Sequence, residues 1–171
     1  MHTLQLAIRS EPIQLLCDIR TRMNINDYLI AQDGKDWSRL LSYWIPPLPA
    51  QFGLWLVNRL GDVFVVAENE SIRHLNVGTG ECTQVARNRE HFAQILDMGN
   101  NAEQWLRFSV VDACRRAGMQ LGPFECYGFK IPPTLGGDYE VANLAPTNLA
   151  VHYSYQAYIC KQTEVYWVPP A

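Results

Sequence analysis

Hydrophobic and polar positions alternate with a period of two between residues 52 and 86. Four short runs rich in β-branched and aromatic residues are separated by turn-forming residues. The runs are Phe52 to Val57, Val63 to Ala67, Ile72 to Val77 and Cys82 to Ala86. Connections this short leave no room for the crossover that parallel pairing requires. The pattern therefore predicts a four-stranded antiparallel β-meander.

Helical periodicity precedes the predicted meander. Ser10 followed by Pro12 predicts the start of an N-terminal helix. Asp36 is predicted to cap a second, short helix, which ends at Pro46 and Pro47 because proline cannot donate a helix hydrogen bond. The apolar stripes of the two helices are Leu15, Leu16, Ile19 and Met23, and Trp37, Leu40, Leu41 and Trp44.

Helices are also predicted after the meander. Asn88 caps one, and Asn101 opens a longer one that Gly118 stops. Residues Asn148 to Cys160 are ambiguous, because their strict alternation favours a strand by periodicity alone. The family resemblance described below favours a helix over Asn148 to Thr163, and we adopt that prediction.

Composition agrees with one globular domain. The chain has 171 residues, of which 48% are hydrophobic and 18% are charged. A chain of this length buries roughly 70% of the surface that its unfolded form exposes, which suffices for a core without staples. The predicted fold class is α+β, an antiparallel β-meander packed against helices in a single domain. Residues 1–36 form an N-terminal helical segment of uncertain relation, and residues 37–171 form the main domain.

Charge and hydropathy exclude several functional classes. Lys and Arg number 14 against 17 Asp and Glu, a net charge of -3, whereas a nucleic-acid scaffold normally carries a basic excess. No apolar run reaches the roughly 18 residues of a membrane span. The first ten residues lack the basic and apolar regions of a secretory signal. We therefore expect a cytoplasmic protein that contacts neither membrane nor nucleic acid directly.

The residue types used in catalysis and metal binding are scattered. Five cysteines, an odd number without a C-x-x-C pair, predict buried free thiols instead of a disulfide scaffold. The four histidines show no metal-ligand spacing, and the paired glycines lack the partners of a phosphate loop. We therefore predict no metal, no cofactor and no enzyme. One alternative stays open: Cys126 or Cys160 could form a nucleophilic pair with His152.

Two features favour a binding protein. Residues 62–81 carry four acids, Asp62, Glu68, Glu70 and Glu81, against the single base Arg73. This excess predicts that the meander's turns form one acidic end, which would attract a basic partner. The candidate partner-binding residues are Glu68, Glu70 and Glu81, followed by Asp138 and Glu140.

Tryptophan is the second feature. The chain has five, and partly exposed Trp and Tyr side chains are common interface anchors. Trp37 and Trp44 share a helical face with leucines and are predicted to lie in the core. The other three are Trp55, Trp105 and Trp167, and we expect some of the five tryptophans to be partly exposed.

Ordered tight-turn and aromatic motifs resemble a known family. The motifs are Leu121-Gly122-Pro123, Cys126-Tyr127-Gly128-Phe129-Lys130-Ile131-Pro132-Pro133, Leu135-Gly136-Gly137, Asn143 and Leu149-Ala150-Val151-His152, preceded by Leu60-Gly61-Asp62-Val63-Phe64-Val65 and Leu75-Asn76-Val77-Gly78-Thr79-Gly80. Over about residues 37–162 the chain resembles the C-terminal domain of bacterial type VI secretion immunity proteins. The family belongs to a wider toxin-immunity superfamily that includes a yeast cell-wall regulator.

The resemblance implies an α+β fold and a role as an antitoxin. Characterised members bind and block a cognate DNA-cleaving effector, and the family has no known catalytic residues. Its usual Gly-Gln-x-His and Lys-Asp-Leu-Pro segments are replaced here by Ala157, Tyr158 and Cys160 and by Glu164-Val165-Tyr166. The leading hypothesis is thus an immunity protein that occludes a toxin, expected to be a nuclease. The alternative is a general protein-binding adaptor or regulatory module without a toxin partner.

Overall fold

The computed structural model describes residues 24–163, and a four-stranded antiparallel sheet forms its centre. The strands are β1 (Phe52–Val57), β2 (Val63–Ala67), β3 (Ile72–Leu75) and β4 (Cys82–Ala86), and they pair in chain order. The predicted meander is confirmed. β3 ends two residues early because the Asn76 side chain accepts hydrogen bonds from the amides of Gly78 and Thr79, which begins the turn at that point.

A second, two-stranded antiparallel sheet was not predicted. Its strands are β5 (Glu125–Phe129) and β6 (Leu144–Asn148). Gly128 lies in the middle of β5 because a Cβ there would come 2.5 Å from Thr147 Oγ1. Gly128 in β5 therefore reflects close packing, and Pro146 in β6 reflects an edge strand. In a sequence alone, both residue types usually indicate a loop.

Within residues 24–163, five α-helices accompany the two sheets. They are α1 (Trp37–Leu41), α2 (Arg89–Leu96), α3 (Asn101–Leu106), α4 (Phe108–Arg116) and α5 (Leu149–Gln162). Asp36 and Asn88 cap α1 and α2 as predicted, since each side chain accepts a backbone amide of the first turn. Together with the antiparallel strands, these helices confirm the α+β fold class and the single domain.

The single helix predicted from Asn101 to Gly118 is wrong, because the structure breaks it at Arg107. Arg107 adopts a left-handed conformation, with φ 55°. The Glu103 carboxylate then accepts hydrogen bonds from the amide and hydroxyl of Ser109 and so caps α4. The Arg107 guanidinium also lies 4.1 Å from the centre of the Tyr139 ring, a cation–π contact that stabilises the break.

Residues 149–162 are helical, which confirms the helix prediction over the strand. The Asn148 side chain caps α5 by accepting the amides of Ala150 and Val151. The buried positions follow helical spacing and include two polar residues: Leu149, His152, Tyr153, Gln156, Ala157 and Cys160. The buried face of α5 thus includes polar residues, and its exposed face includes apolar ones such as Tyr155. This mixture produces an alternation of period two that wrongly favours a strand.

Both faces of the meander are covered. Successive residues of β2 point to opposite sides, with Val63 and Val65 in one apolar cluster and Phe64 in another. The first cluster includes α1 and α5, and the second includes α2 and α3. A third cluster joins α4 to the β5–β6 sheet.

The tryptophans lie inside these clusters. Trp37 and Trp44 are buried, as predicted. Trp55 and Trp105 are also buried, so none of the four tryptophans among residues 24–163 is a partly exposed anchor. They pack on the Phe92 ring, with ring centres 5.1 and 4.9 Å away. Trp167 lies outside the described residues.

Part of the N-terminal segment packs into the domain. The Ile30 amide donates to the carbonyl of Val57, and Leu29 bridges to Asn58. Ile25, Leu29 and Ile30 are buried in the clusters that cover the sheet. The predicted helix beginning at Ser10 and its stripe up to Met23 lie outside the described residues. The proposed boundary after residue 36 remains a prediction.

Candidate functional site

The five predicted partner-binding acids do not lie at one end of the sheet. Val57 pairs with Val63 and Leu75 with Cys82, which places the turns 58–62 and 76–81 at the same end. Strand β2 runs to the other end before the turn that carries Glu68 and Glu70. The single acidic end predicted for the meander is therefore wrong, because successive turns of a meander alternate between ends.

Three of the five acids are nevertheless brought to one end by the second sheet. Tyr139 Oη donates to Asn76 Oδ1 at 3.2 Å, which joins the loop after β5 to the turn that precedes Glu81. A Cβ on Gly78 would lie 2.8 Å from Tyr139 Oη, so the turn and the loop are in close contact. Asp138 and Glu140, which flank Tyr139, thus lie at the same end as Glu81.

Exposed apolar side chains accompany these carboxylates. Ile131 and Leu135 are 55% and 53% exposed on the loop that leads to Asp138. The Asn143 side chain fixes this loop, since its amide donates to the carbonyls of Ile131 and Asp138. We call Glu81, Asp138, Glu140, Ile131 and Leu135 the carboxylate surface. It combines negative charge with apolar area, as protein-binding surfaces often do.

Two cations near the carboxylate surface, Arg107 and Lys130, are already engaged. The Arg107 guanidinium stacks on the Tyr139 ring, and Lys130 Nζ donates to the carbonyl of Ala142 at 2.7 Å. Burial and the nearby Asp62 raise the pKa of Tyr139 to about 12, so this hydroxyl remains a neutral donor at physiological pH. Glu81, Asp138 and Glu140 are exposed and free of ion pairs with described residues.

Asp62, the fourth acid of the meander, is structural. It is only 1% exposed, and its carboxylate accepts the amide of Val77 at 2.9 Å and Asn58 Nδ2 at 3.0 Å. His74 Nε2 lies 3.8 Å from the carboxylate. Burial alone would raise the pKa of Asp62, but His74, Arg107 and Asn58 outweigh it and hold the pKa below its ordinary value.

The exposed aromatic residues lie on and around α5. Val151, Tyr155 and Tyr158 form a stripe on its solvent side, and Tyr158 is 59% exposed. The last turn of α5 reaches the end of the carboxylate surface, since Cys160 Sγ would lie 3.0 Å from a Cβ on Gly80. This stripe was not predicted from the sequence, because the alternation of apolar and polar residues over 148–160 hides the exposed face of the helix.

The residues of the alternative nucleophilic pair, Cys126 or Cys160 with His152, are all buried. Cys126 Sγ donates to the carbonyl of Thr147 at 3.7 Å, and both this sulfur and His152 Nε2 lie close to Gly61. Burial raises the pKa of the Cys126 thiol and lowers the pKa of His152 to about 4. Burial also raises the pKa of Cys160 to about 11. The thiols therefore stay protonated near pH 7, and an imidazole with so low a pKa is a weak base for removing their protons, which disfavours nucleophilic attack.

Metal sites and membrane-spanning helices can both be assessed among the described residues. Among residues 24–163, no three His, Cys, Asp or Glu side chains are grouped so that they could hold a metal ion. No helix in the same part of the chain has the length and apolar character needed to cross a membrane.

Comparison with known families finds a match over part of the chain. Residues 86–158 match the family model described as T6SS immunity protein Tdi1, C-terminal. Over this segment, which is less than half of the chain, the sequence is similar to that family of immunity proteins, and this match supports the predicted resemblance. The matched segment includes α2 to α4, the β5–β6 sheet and most of α5. The predicted resemblance of residues 37–85 lies outside it. No curated protein matches the chain.

Proposed function

We propose that this chain is a cytoplasmic immunity protein that binds a cognate type VI effector through the carboxylate surface and so blocks it. The similarity of residues 86–158 to an immunity family supports a toxin as the partner. The observation that carries the choice of surface is the convergence of Glu81, Asp138 and Glu140 at one end, beside exposed Ile131 and Leu135.

The charge of this surface suits a basic partner. A DNA-cleaving toxin must present a basic groove to its phosphate-rich substrate. Carboxylates that approach such a groove accelerate association by long-range attraction and exclude DNA when bound. Inhibition then requires binding energy alone, and about 12 kcal/mol corresponds to nanomolar affinity. We therefore propose a nuclease as the target and no catalytic role for this chain.

Tyr158 is the proposed aromatic anchor of the interface. It is exposed near the end of α5 that contacts Gly80, next to the turn carrying Glu81. Aromatic side chains at the centre of an interface commonly supply a large part of its binding energy. Phe124 offers a matched comparison, because it is 51% exposed but lies at the opposite end of α5, where its carbonyl accepts the Leu149 amide.

Charge neutralisation at the two ends of the sheet tests the proposal. The triple variant Glu81→Gln, Asp138→Asn and Glu140→Gln keeps the side-chain shapes and removes three charges. The control variant Glu68→Gln and Glu70→Gln removes two charges at the other end. Affinity for the effector encoded beside this gene is measured by titration calorimetry at low and physiological salt.

We expect the triple variant to weaken binding at least tenfold at low salt and to flatten the salt dependence, with little effect of the control variant. Tyr158→Ala should weaken binding by about 2 kcal/mol or more, as aromatic hot spots do, whereas Phe124→Ala should not. Equal losses in the triple and control variants would contradict the assignment of the surface. The absence of any complex with the wild-type chain would contradict the toxin-binding function itself.

A further inference from the structure

The loop between β5 and β6, residues 130–143, closes around the side chain of its last residue. Asn143 is only 9% exposed. Its Oδ1 accepts the Ile131 amide at 2.9 Å, and its Nδ2 donates to the carbonyls of Ile131 at 2.9 Å and Asp138 at 2.8 Å. One buried side chain therefore joins the start, the middle and the end of the loop.

Gly137 packs directly against this arrangement. A Cβ at Gly137 would overlap the Ile131 carbonyl oxygen and would lie 2.8 Å from Asn143 Nδ2. The Gly137 amide donates to the carbonyl of Pro132 at 3.1 Å. Because only glycine permits so close an approach of two backbone segments, the loop has a single compact conformation.

Four of the five residues of the carboxylate surface lie on this loop, and Asn143 holds the backbone of three of them. Its side chain bonds both the amide and the carbonyl of Ile131, as well as the carbonyl of Asp138. Its own amide donates to the carbonyl of Glu140 at 2.9 Å. The side chains that could meet a partner are thus exposed on a backbone that is fixed from inside.

We propose that Asn143 is a positioning residue of the carboxylate surface, which holds the loop in its binding conformation before the partner arrives. A loop that is already ordered loses little conformational entropy on binding, so more of the contact energy appears as affinity. A rigid element with apolar side chains and carboxylates fits a preformed cleft that has an apolar floor and a basic rim. This role rests on the proposed function, because it concerns the same surface.

Two substitutions loosen the loop without removing a charge or an exposed side chain of the surface. Asn143→Ala deletes the three side-chain hydrogen bonds. Gly137→Ala forces the Ile131 carbonyl away and removes no polar group, and it carries the test if Asn143→Ala does not fold. The matched control is Asn148→Ala, which also deletes a hydrogen-bonded Asn side chain but lies at the other end of β6.

Amide hydrogen exchange of the free chain tests the order of the loop without a partner. In Asn143→Ala the amides of Ile131 and Gly137 should exchange at least about tenfold faster than in the wild-type chain, because the loop opens locally. Amides of β2 should be accelerated less. Loop amides that already exchange at the unprotected rate in the wild-type chain would overturn the proposal. Equal acceleration of the loop and β2 would also overturn it, since Asn143 would then stabilise only the fold as a whole.

Titration calorimetry with the effector encoded beside this gene tests the consequence for binding. Both loop variants should bind about tenfold more weakly, as expected if the loop holds its binding conformation about one-tenth of the time. Their salt dependence should stay as steep as that of the wild-type chain, because the surface keeps all its charges. Asn148→Ala should bind with unchanged affinity.

The outcomes separate this role of Asn143 from the proposed function. A wild-type complex that a folded loop variant forms with equal affinity would overturn the positioning role and leave the proposed function intact. A flattened salt dependence in the loop variants would also overturn it, since the substitutions would then act through charge. The absence of a wild-type complex would overturn both.

Discussion

The buried carboxylate of Asp62 offers a direct test of how the domain is held together. The substitution Asp62→Asn preserves the shape of the side chain and creates no cavity. The carboxylate accepts the amides of Val77 and Asn58 at 2.9 and 3.0 Å, but an Asn side chain has a single acceptor oxygen. One buried donor therefore loses its partner, and the other hydrogen bond loses its charge.

The expected cost follows from these contacts. A hydrogen bond to a charged group contributes about 1.5–3 kcal/mol, and an unsatisfied buried donor costs about 1–3 kcal/mol. Because these contributions overlap, we expect Asp62→Asn to lower the free energy of unfolding by about 2–4 kcal/mol at pH 7. The exposed Asp33 provides the control, since Asp33→Asn removes a charge that has no such partners.

The pH dependence of this cost has a definite sign. The pKa of Asp62 is lowered in the folded protein, so its stabilising contribution is complete above the ordinary Asp pKa of about 3.9. It is lost as the pH falls through the lowered folded-state pKa. The stability difference between wild type and Asp62→Asn should therefore be full at pH 7 and should shrink below about pH 4.

Urea unfolding followed by tryptophan fluorescence at several pH values measures this difference. Equal slopes against urea show that the variants unfold from comparably compact states. A difference below about 0.5 kcal/mol at pH 7, which is the usual range for surface substitutions, would refute the structural role of Asp62. A difference that does not shrink below pH 4 would refute the account of its ionisation.

Three further predictions concern the turn at Gly61, the cap of α5 and two buried thiols. Gly61→Ala should lower the free energy of unfolding by about 2–3 kcal/mol, because φ is +88° and the new Cβ would come 3.1 Å from the buried His152 imidazole. Gly34→Ala, with φ +72° and open space around the new Cβ, should lower it by only about 1 kcal/mol. Equal losses of stability for the two variants in thermal unfolding would contradict the packing account. Asn148→Ala removes the cap of α5 and should cost about 1 kcal/mol in urea unfolding, so an unchanged midpoint would argue against the cap. Cys126 and Cys160 should resist iodoacetamide at pH 7.5 in the folded protein, as followed by mass spectrometry, and modification of either at the rate of an exposed thiol would revive the nucleophilic alternative.

The meander could be predicted because its signals are local. Alternating residues such as Val63, Phe64 and Val65 form strands, and short turns dictate antiparallel pairing. The β5–β6 sheet could not be predicted in this way. Gly128 is required there by the approach of Thr147, a contact between residues far apart in sequence. Glycine at such a position has the same local appearance as glycine in a loop.

The helical region shows where periodicity fails. The break at Arg107 depends on the Tyr139 ring, more than thirty residues later in the chain. In α5, buried His152 and Gln156 occupy core positions, while Tyr155 is exposed. A hydrophobicity pattern cannot identify a core position that holds a polar side chain, so only the family resemblance favoured the helix.

The sequence predicted the acidic residues of the candidate site but not which of them lie together. Counting charges over residues 62–81 identified Glu81, but it also grouped the buried Asp62 with it, and Asp138 and Glu140 were only second-choice candidates. The sequence contains no local signal for the Tyr139–Asn76 contact that brings the three exposed carboxylates to one end. Whether these residues bind a partner remains a prediction, because it depends on a second molecule.

Co-expression with the effector encoded beside this gene tests the central proposal most directly. Cells that produce the effector alone should lose viability and chromosomal DNA, and cells that also produce this chain should keep both. The variant that neutralises Glu81, Asp138 and Glu140 should protect less well at equal protein levels than the variant at Glu68 and Glu70. Cell death and DNA loss that are unaffected by the wild-type chain would contradict the proposed immunity function.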